Sequence, residues 1–353
     1  MELKRYFTTE STEALLAWYR KNRRALPWRE DREPYHVWLS EIMLQQTRVE
    51  AVKPYYARFL DAAPTVQALA SLPEERLMKL WEGLGYYSRA RNLQRTAKRI
   101  CEERGGVMPR TYADWLEMSG VGDYTAGAIA SIAFDERVPA VDGNVLRVLS
   151  RLTASTADIA EPSVKKDFRE ALAPCVPECA GDFTQAMIEL GATVCVPNGA
   201  PRCEACPMRA QCVAYARGET EKYPVKRAKK ARRVEKKTVF VIRDEDRTVL
   251  HKRPPKGLLS GLYELPNAEG HLTSDEVPRY IRALGFEPLR VERLEDAKHI
   301  FTHVEWHMIA YAVRISPEFD GACGQSGMLL VPSDALHGEY AIPSAFSAYT
   351  KYL

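Results

Sequence analysis

Residues 118–125 read MSGVGDYT, two glycines with an aspartate beside the second, between stretches that have the composition of helix. Upstream stands YADWLE (112–117) and downstream AGAIASIAF (126–134). Two short helices joined by Gly-Val-Gly present successive backbone N–H groups at the start of the second. With the helix dipole, such a turn holds an anion, and a DNA phosphate is the obvious one. Gly120 and Gly122 let a backbone approach that turn without interference from a Cβ. A tyrosine, Tyr124, follows at once.

Around this hairpin the chain is helical as far as residue 217. Residues 14–19 and 34–52 place apolar residues at three-to-four spacing, the second behind a first-turn Pro34, and 93–101, 163–172 and 183–194 continue the pattern. The segment 138–152, VPAVDGNVLRVLSRL, starts another helix just after Asp142, where an N-cap belongs. Beyond residue 237 the period changes to two. Residues 238–243 and 248–253 form a hairpin of strands, and 299–314 alternates as one further strand. The chain is therefore expected to be multidomain: an all-α region over 1–217, a linker over 218–237, and an α+β domain over 238–353.

Charge is concentrated rather than spread. The net charge is +3, yet residues 218–237 hold nine Lys or Arg against three Glu. Bulk charge does not make the protein a polyanion binder, so any nucleic-acid contact rests on local sites. With 46% hydrophobic residues the chain fills two cores, and no apolar run nears the length of a membrane span. Residues 1–10 lack the apolar core of a signal peptide, which makes a cytoplasmic protein the expectation.

Cys195, Cys203, Cys206 and Cys212 fall within eighteen residues, separated by seven, two and five. Four thiolates so spaced complete a metal site, and spacing leaves zinc and an iron–sulfur cluster equally open. Cys101, Cys175, Cys179 and Cys323 have no such spacing and read as ordinary thiols.

The order of these motifs resembles the helix-hairpin-helix DNA glycosylases of the endonuclease III superfamily. PWR (27–29), SEIMLQQTRV (40–49) and WEGLGYYSRARNL (81–93) narrow the resemblance to MutY-type adenine DNA glycosylases. It implies a 4Fe–4S cluster on the four cysteines. It also implies removal of adenine mispaired with 8-oxoguanine or guanine in double-stranded DNA, by a monomer. Glu41 becomes the acid that protonates the base, within an apolar stripe that raises its pKa. Asp142 becomes the carboxylate facing the anomeric carbon, with Asn144 positioning it or water and Tyr124 hydrogen-bonding beside the carboxylate. Arg29, Trp28, Gln185 and Ile188 line the base pocket. Gln46 and Thr47 contact the opposing base, and Tyr86 wedges into the duplex.

The sequence departs from the family in three places. The first two cysteines are usually six residues apart, Ser119 stands where Pro is usual, and the recognition loop Phe301, Thr302, His303 usually reads Phe-Ser-His. Relatives that cut the strand place a lysine amine just past the hairpin as Schiff-base nucleophile. The phenol of Tyr124 cannot form an imine, so a bifunctional glycosylase/lyase is the disfavoured alternative.

Residues 256–266, KGLLSGLYELP, resemble the start of a Nudix fold, but 274–285 lacks the glutamate-rich metal-binding pattern. A recognition domain for 8-oxoguanine is expected rather than a pyrophosphohydrolase. His299, His303 and His307 would share one face of a strand about 13 Å apart, too far for one ion.

Overall fold

The protein is described from a computed structural model covering residues 2–227, 231–317 and 327–353. Cys323 and three of the linker's residues lie outside the described residues. The helices of the first two-thirds are α1 (Thr9–Asn22), α2 (Pro34–Leu44), α3 (Val49–Ala62), α4 (Val66–Ser71), α5 (Glu74–Trp81) and α6 (Ser88–Arg104). They continue with α7 (Tyr112–Leu116), α8 (Asp123–Phe134), α9 (Gly143–Thr153), α10 (Pro162–Leu172), α11 (Ala180–Thr193) and α12 (Val213–Ala216). Two compact units result, one from Met1–Ser71 with Asn92–Lys229, the other from Leu72–Arg91 with Lys230–Leu353. Residues 72–91, which the sequence places with the helical region, thus belong by contact to the second unit.

In the helical unit, α8 and α11 are buried along most of their length, as expected for α8 from its nearly all-round apolar surface, whereas α11 also buries Gln185 and Glu189. Leu15 and Tyr19 of α1, Val145 and Leu149 of α9, and Phe183 and Leu190 of α11 share one core. On α2, Trp38 packs on Trp115 of α7 with ring centroids 5.6 Å apart. Truncating either to Ala costs about 3–5 kcal/mol. A Cβ on Gly191 would meet the Asn144 Cβ at 2.6 Å, so this glycine lets α11 close against the start of α9. The hairpin forms as expected: Thr111 caps α7 through Asp114 N, and Gly122 caps α8 without a side chain. Gly120 takes a φ of +78° against Asn92.

The second unit adds β1 (Arg233–Arg243), β2 (Arg247–Lys252), β3 (Tyr263–Glu264), β4 (Asn267–Glu269), α13 (Val277–Ala283), β5 (Pro288–Ile300), β6 (Val304–Ile315), β7 (Met328–Pro332) and α14 (Ser333–Glu339). The sheet runs β3-β2-β1-β6-β5, with β4 on β1 and β7 on β2. Its centre is the parallel pair β1–β6, in register from Arg233 with Val304 to Arg243 with Arg314. Val239, Val241, Trp306 and Met308 face one core, while Phe240, Ile242, Ile309 and Tyr311 face the other.

Two expectations are corrected here. Residues 233–237 are strand, not linker, because β6 supplies partners for their backbone, and Tyr223 is buried with its carbonyl bonded to Arg151 Nε at 2.9 Å. Residues 299–314 are not one strand, because the chain turns at 301–303 and His299 lies opposite Trp306. His299 and His307 therefore stand on neighbouring strands. Among the described residues, no three His, Cys, Asp or Glu side chains are placed to hold a single ion.

Candidate active site

A cavity of about 900 Å³ opens in the helical unit, within the size range of small-molecule sites. It is lined by Glu41, Tyr124, Asp142, Asn144, Arg29, Trp28, Gln185, Ile188, Gln46, Thr47 and Gly122, all expected site residues. Glu41 lies in the middle of α2, 7% exposed. Burial raises its pKa to about 7; the Tyr124 hydrogen bond and Arg29 oppose the rise, and the charge of Asp142 adds to it. Tyr124 Oη donates to Glu41 Oε2 at 2.8 Å. Burial and the neighbouring Glu41 push the Tyr124 phenol well above its ordinary value, so it remains a donor.

Asp142 is the N-cap of α9. Its Oδ1 accepts from the backbone N of Asn144 (2.9 Å) and Val145 (2.8 Å), and its Oδ2 from Asn144 Nδ2 (2.6 Å). Burial raises its pKa, and these donors together with Arg147 hold the rise back. The cap expected from sequence and the cavity carboxylate are the same residue.

Trp28 meets Tyr56 edge-on at 5.5 Å, which fixes one wall of the cavity. Gln46 has a φ of +58° and Tyr86 one of +47°. Non-glycine residues in this region store strain of about 1 kcal/mol or more, typically at functional sites.

Gly120 does not line the cavity. Tyr86, Phe301, Thr302 and His303 lie in the second unit, where Tyr86 Oη is 2.7 Å from Thr302 Oγ1. Phe301 is held between His299 and Trp306, at 4.6 and 4.9 Å, leaving Thr302 and His303 exposed at the turn.

Cys195, Cys203, Cys206 and Cys212 line one small apolar cavity with Leu152, Leu190 and Met208. Arg151 reaches Cys195 Sγ at 3.3 Å through Nη1, and its carbonyl accepts from Cys212 Sγ at 3.5 Å.

Residues 39–174 match the family described as HhH-GPD superfamily base excision DNA repair protein, and 238–352 match the NUDIX domain. The chain is 37% identical to the adenine DNA glycosylase of Mus musculus, over 85% of this chain and 70% of that one. It is 32% identical to the adenine DNA glycosylase of Buchnera aphidicola subsp. Schizaphis graminum, over 86% and 88%. The chain belongs to the adenine DNA glycosylases. Among solved structures, a thermostable thymine-DNA glycosylase matches the glycosylase at 27% identity with a TM-score of 0.55, over 61% of this chain and all of that one. No described helix of the enzyme is long and apolar enough to cross a membrane.

Several residues of this glycosylase were not singled out by sequence reasoning. Arg147 donates to Asn144 Oδ1 (2.8 Å), to the Gly191 carbonyl (2.6 Å) and to the Cys195 carbonyl (2.7 Å). It thereby ties the α9 cap to the start of the cysteine loop. Its signal was a pair of arginines four apart in an apolar helix, Arg147 and Arg151. Glu189, Lys165 and Lys166 were also missed. A lone glutamate in the apolar run of α11 was the available signal for the first.

Proposed function

We propose that the enzyme hydrolyses the N-glycosidic bond of adenine paired with 8-oxoguanine or guanine, and stops at base removal. The observation that supports this best is Glu41, a carboxyl that keeps its proton to about pH 7 in a cavity shared with Asp142. Adenine leaves the duplex and enters the cavity, between Trp28, Arg29, Gln185 and Ile188. With Oε2 engaged by Tyr124, Oε1 of Glu41 carries the proton to the departing base. Asp142 stabilises the cationic sugar, and Asn144 keeps its carboxylate in place. The free N–H groups behind Gly122 hold a phosphate. Gln46, Thr47 and Tyr86 meet the opposing strand, and Phe301, Thr302 and His303 recognise the oxidised guanine. The enzyme acts as a monomer in the cytoplasm, associated with the nucleoid.

The four cysteines suit a 4Fe–4S cluster. The resemblance to the adenine DNA glycosylases favours that cluster over a single zinc, and all four thiols line one apolar cavity that could receive it. Such a group would tie the loop 195–212 to Arg151 and α9 as a structural cross-link. Iron at about four atoms per chain in anaerobically purified protein is the expected result. Stoichiometric zinc without iron would overturn the choice.

The test of the reaction is single turnover of a duplex holding adenine opposite 8-oxoguanine, quenched with and without alkali. Strand breaks that appear only after alkali are expected. Breaks without alkali would favour the glycosylase/lyase alternative.

A further inference from the structure

Glu189, fully buried, accepts four hydrogen bonds and takes no part in the chemistry above. Its Oε1 accepts from the backbone N (3.0 Å) and Nε (2.7 Å) of Arg24, and its Oε2 from Arg24 Nη2 (2.9 Å) and Arg29 Nη2 (2.9 Å). Four donors satisfy the carboxylate's acceptor sites and fix its orientation. Glu189 lies one helical turn beyond Gln185 on α11. The ion pairs therefore join two walls of the base cavity, the loop with Trp28 and Arg29 and the helix face with Gln185 and Ile188.

The same group sets charge. Two guanidinium groups on one carboxylate leave a single net positive charge beside the cavity. Arg29 is 9% exposed and close enough to Glu41 and Tyr124 to act on both electrostatically. The groups facing Arg29 are the Tyr19 ring of α1 (5.8 Å), Arg24, Glu41 of α2, Tyr124 of α8 and Glu189. Glu41 also faces Asp142 at the start of α9.

We propose that Glu189 is a positioning residue: it holds Arg29 in the wall of the base pocket and offsets its charge, so that Glu41 keeps its proton. The inference rests on Glu41 being the general acid. Burial alone would raise the Glu189 pKa, but Arg24 and Arg29 bring it to about 2, so it stays ionised across the working range. Removing the negative charge exposes Glu41 to uncompensated cations, which favours its ionised form. Removing Arg24 instead leaves Glu189 to neutralise Arg29, which favours the protonated form.

The experiment is the single-turnover rate of adenine excision against pH for wild type, Glu189→Gln and Arg24→Met on the A:8-oxoguanine duplex. Wild type should lose rate as pH rises through about 7, the pKa of Glu41. Glu189→Gln should carry its basic limb about one unit lower, so that its rate at pH 8, taken relative to its own acid plateau, falls about tenfold further than that of wild type, whatever the height of the plateau. Arg24→Met should shift the limb the other way. A uniform rate loss with an unmoved limb in Glu189→Gln would show a merely structural role and overturn the proposal. Should Glu189→Gln not fold, the half-exposed Arg24 decides, and an unmoved limb in Arg24→Met overturns it equally. A wild-type profile without a basic limb would sink the Glu41 assignment and this proposal together.

Discussion

Glu41→Gln should abolish excision and, at alkaline pH, stabilise the protein. The buried Glu41 carboxyl has a pKa of about 7 in the folded enzyme against a reference of 4.5. The folded state therefore holds a proton that the unfolded chain releases. Its contribution to stability is complete below pH 4.5 and is lost as pH rises through 7. Each pKa unit corresponds to about 1.4 kcal/mol, so the ionised group costs about 3 kcal/mol at pH 8 and only about 1 kcal/mol at pH 5. A glutamine avoids the charge, and its oxygen can still accept from Tyr124. Any packing penalty of the amide is independent of pH and cancels between the two conditions. The difference between variant and wild type should thus grow by about 2 kcal/mol from pH 5 to pH 8. For a unit of this size that widens the gap in melting temperature by about 4–8 °C. Thermal melts of both proteins at the two pH values, followed by the helical circular-dichroism signal, measure it. A gap that stays flat or narrows would refute the claim that burial keeps this acid protonated.

Asp142→Asn should stall single-turnover excision while lowering stability by less than about 1 kcal/mol, because asparagine keeps an oxygen for the Asn144 and Val145 N–H groups. A larger loss in the melt would mean that the capping role dominates. Borohydride should trap little DNA adduct with the wild type, since Tyr124 offers no amine. Any adduct that forms should map to Lys165 or Lys166, the exposed amines at the cavity mouth, whereas efficient trapping elsewhere would revive a lyase. Tyr86→Phe and Thr302→Ala should each weaken the preference for A:8-oxoguanine over A:G by about fivefold, one hydrogen bond's worth. Because the two hydroxyls are partners at 2.7 Å, the double variant should lose little more than either single one, and full additivity in rate or affinity would count against a shared contact.

Local signals made the hairpin, the α9 cap and the cysteine loop legible, since each depends on residues a few positions apart. Asp142 could be read as a cap because a capping residue precedes its helix directly, but its place in the site, like that of Glu41, came from the resemblance to a known family and not from the local pattern. What stayed hidden depends on distant pairing. Glu189 meets Arg24 and Arg29 across more than 150 residues of chain, and no period marks such a contact. Residues 72–91 look like any amphipathic helical stretch. Contacts such as the backbone N of Ile342 on Glu82 Oε1 (2.8 Å), Lys79 on the Tyr340 carbonyl (3.2 Å) and Tyr86 on Thr302 (2.7 Å) show why they group with the second unit. The turn at 301–303 left one local sign, a break in the alternation where Ile300 and Phe301 are both apolar and Thr302 and His303 both polar, and so short an irregularity reads equally well as a bulge within one strand. Hairpin and strand differ there only in where the backbone finds its partners.

The division of work between the two carboxylates follows from where each sits on its helix. Inside a helix every backbone N–H is already bonded to the preceding turn, so Glu41, in the middle of α2, finds no main-chain donor. It keeps one phenol, from Tyr124. Burial, with the charge of Asp142, outweighs that bond and Arg29 and leaves an acid near pH 7. At the first turn of a helix the N–H groups have no partner within the helix. Asp142 takes two of them and adds the Asn144 amide. Those donors favour the ionised form against the same burial. Equal desolvation thus yields a proton donor at one position and a carboxylate fit to face a cation at the other. Moving the acid one turn toward the start of α2, or replacing the α9 cap by a residue without an acceptor, would remove that difference even if both side chains still reached the cavity.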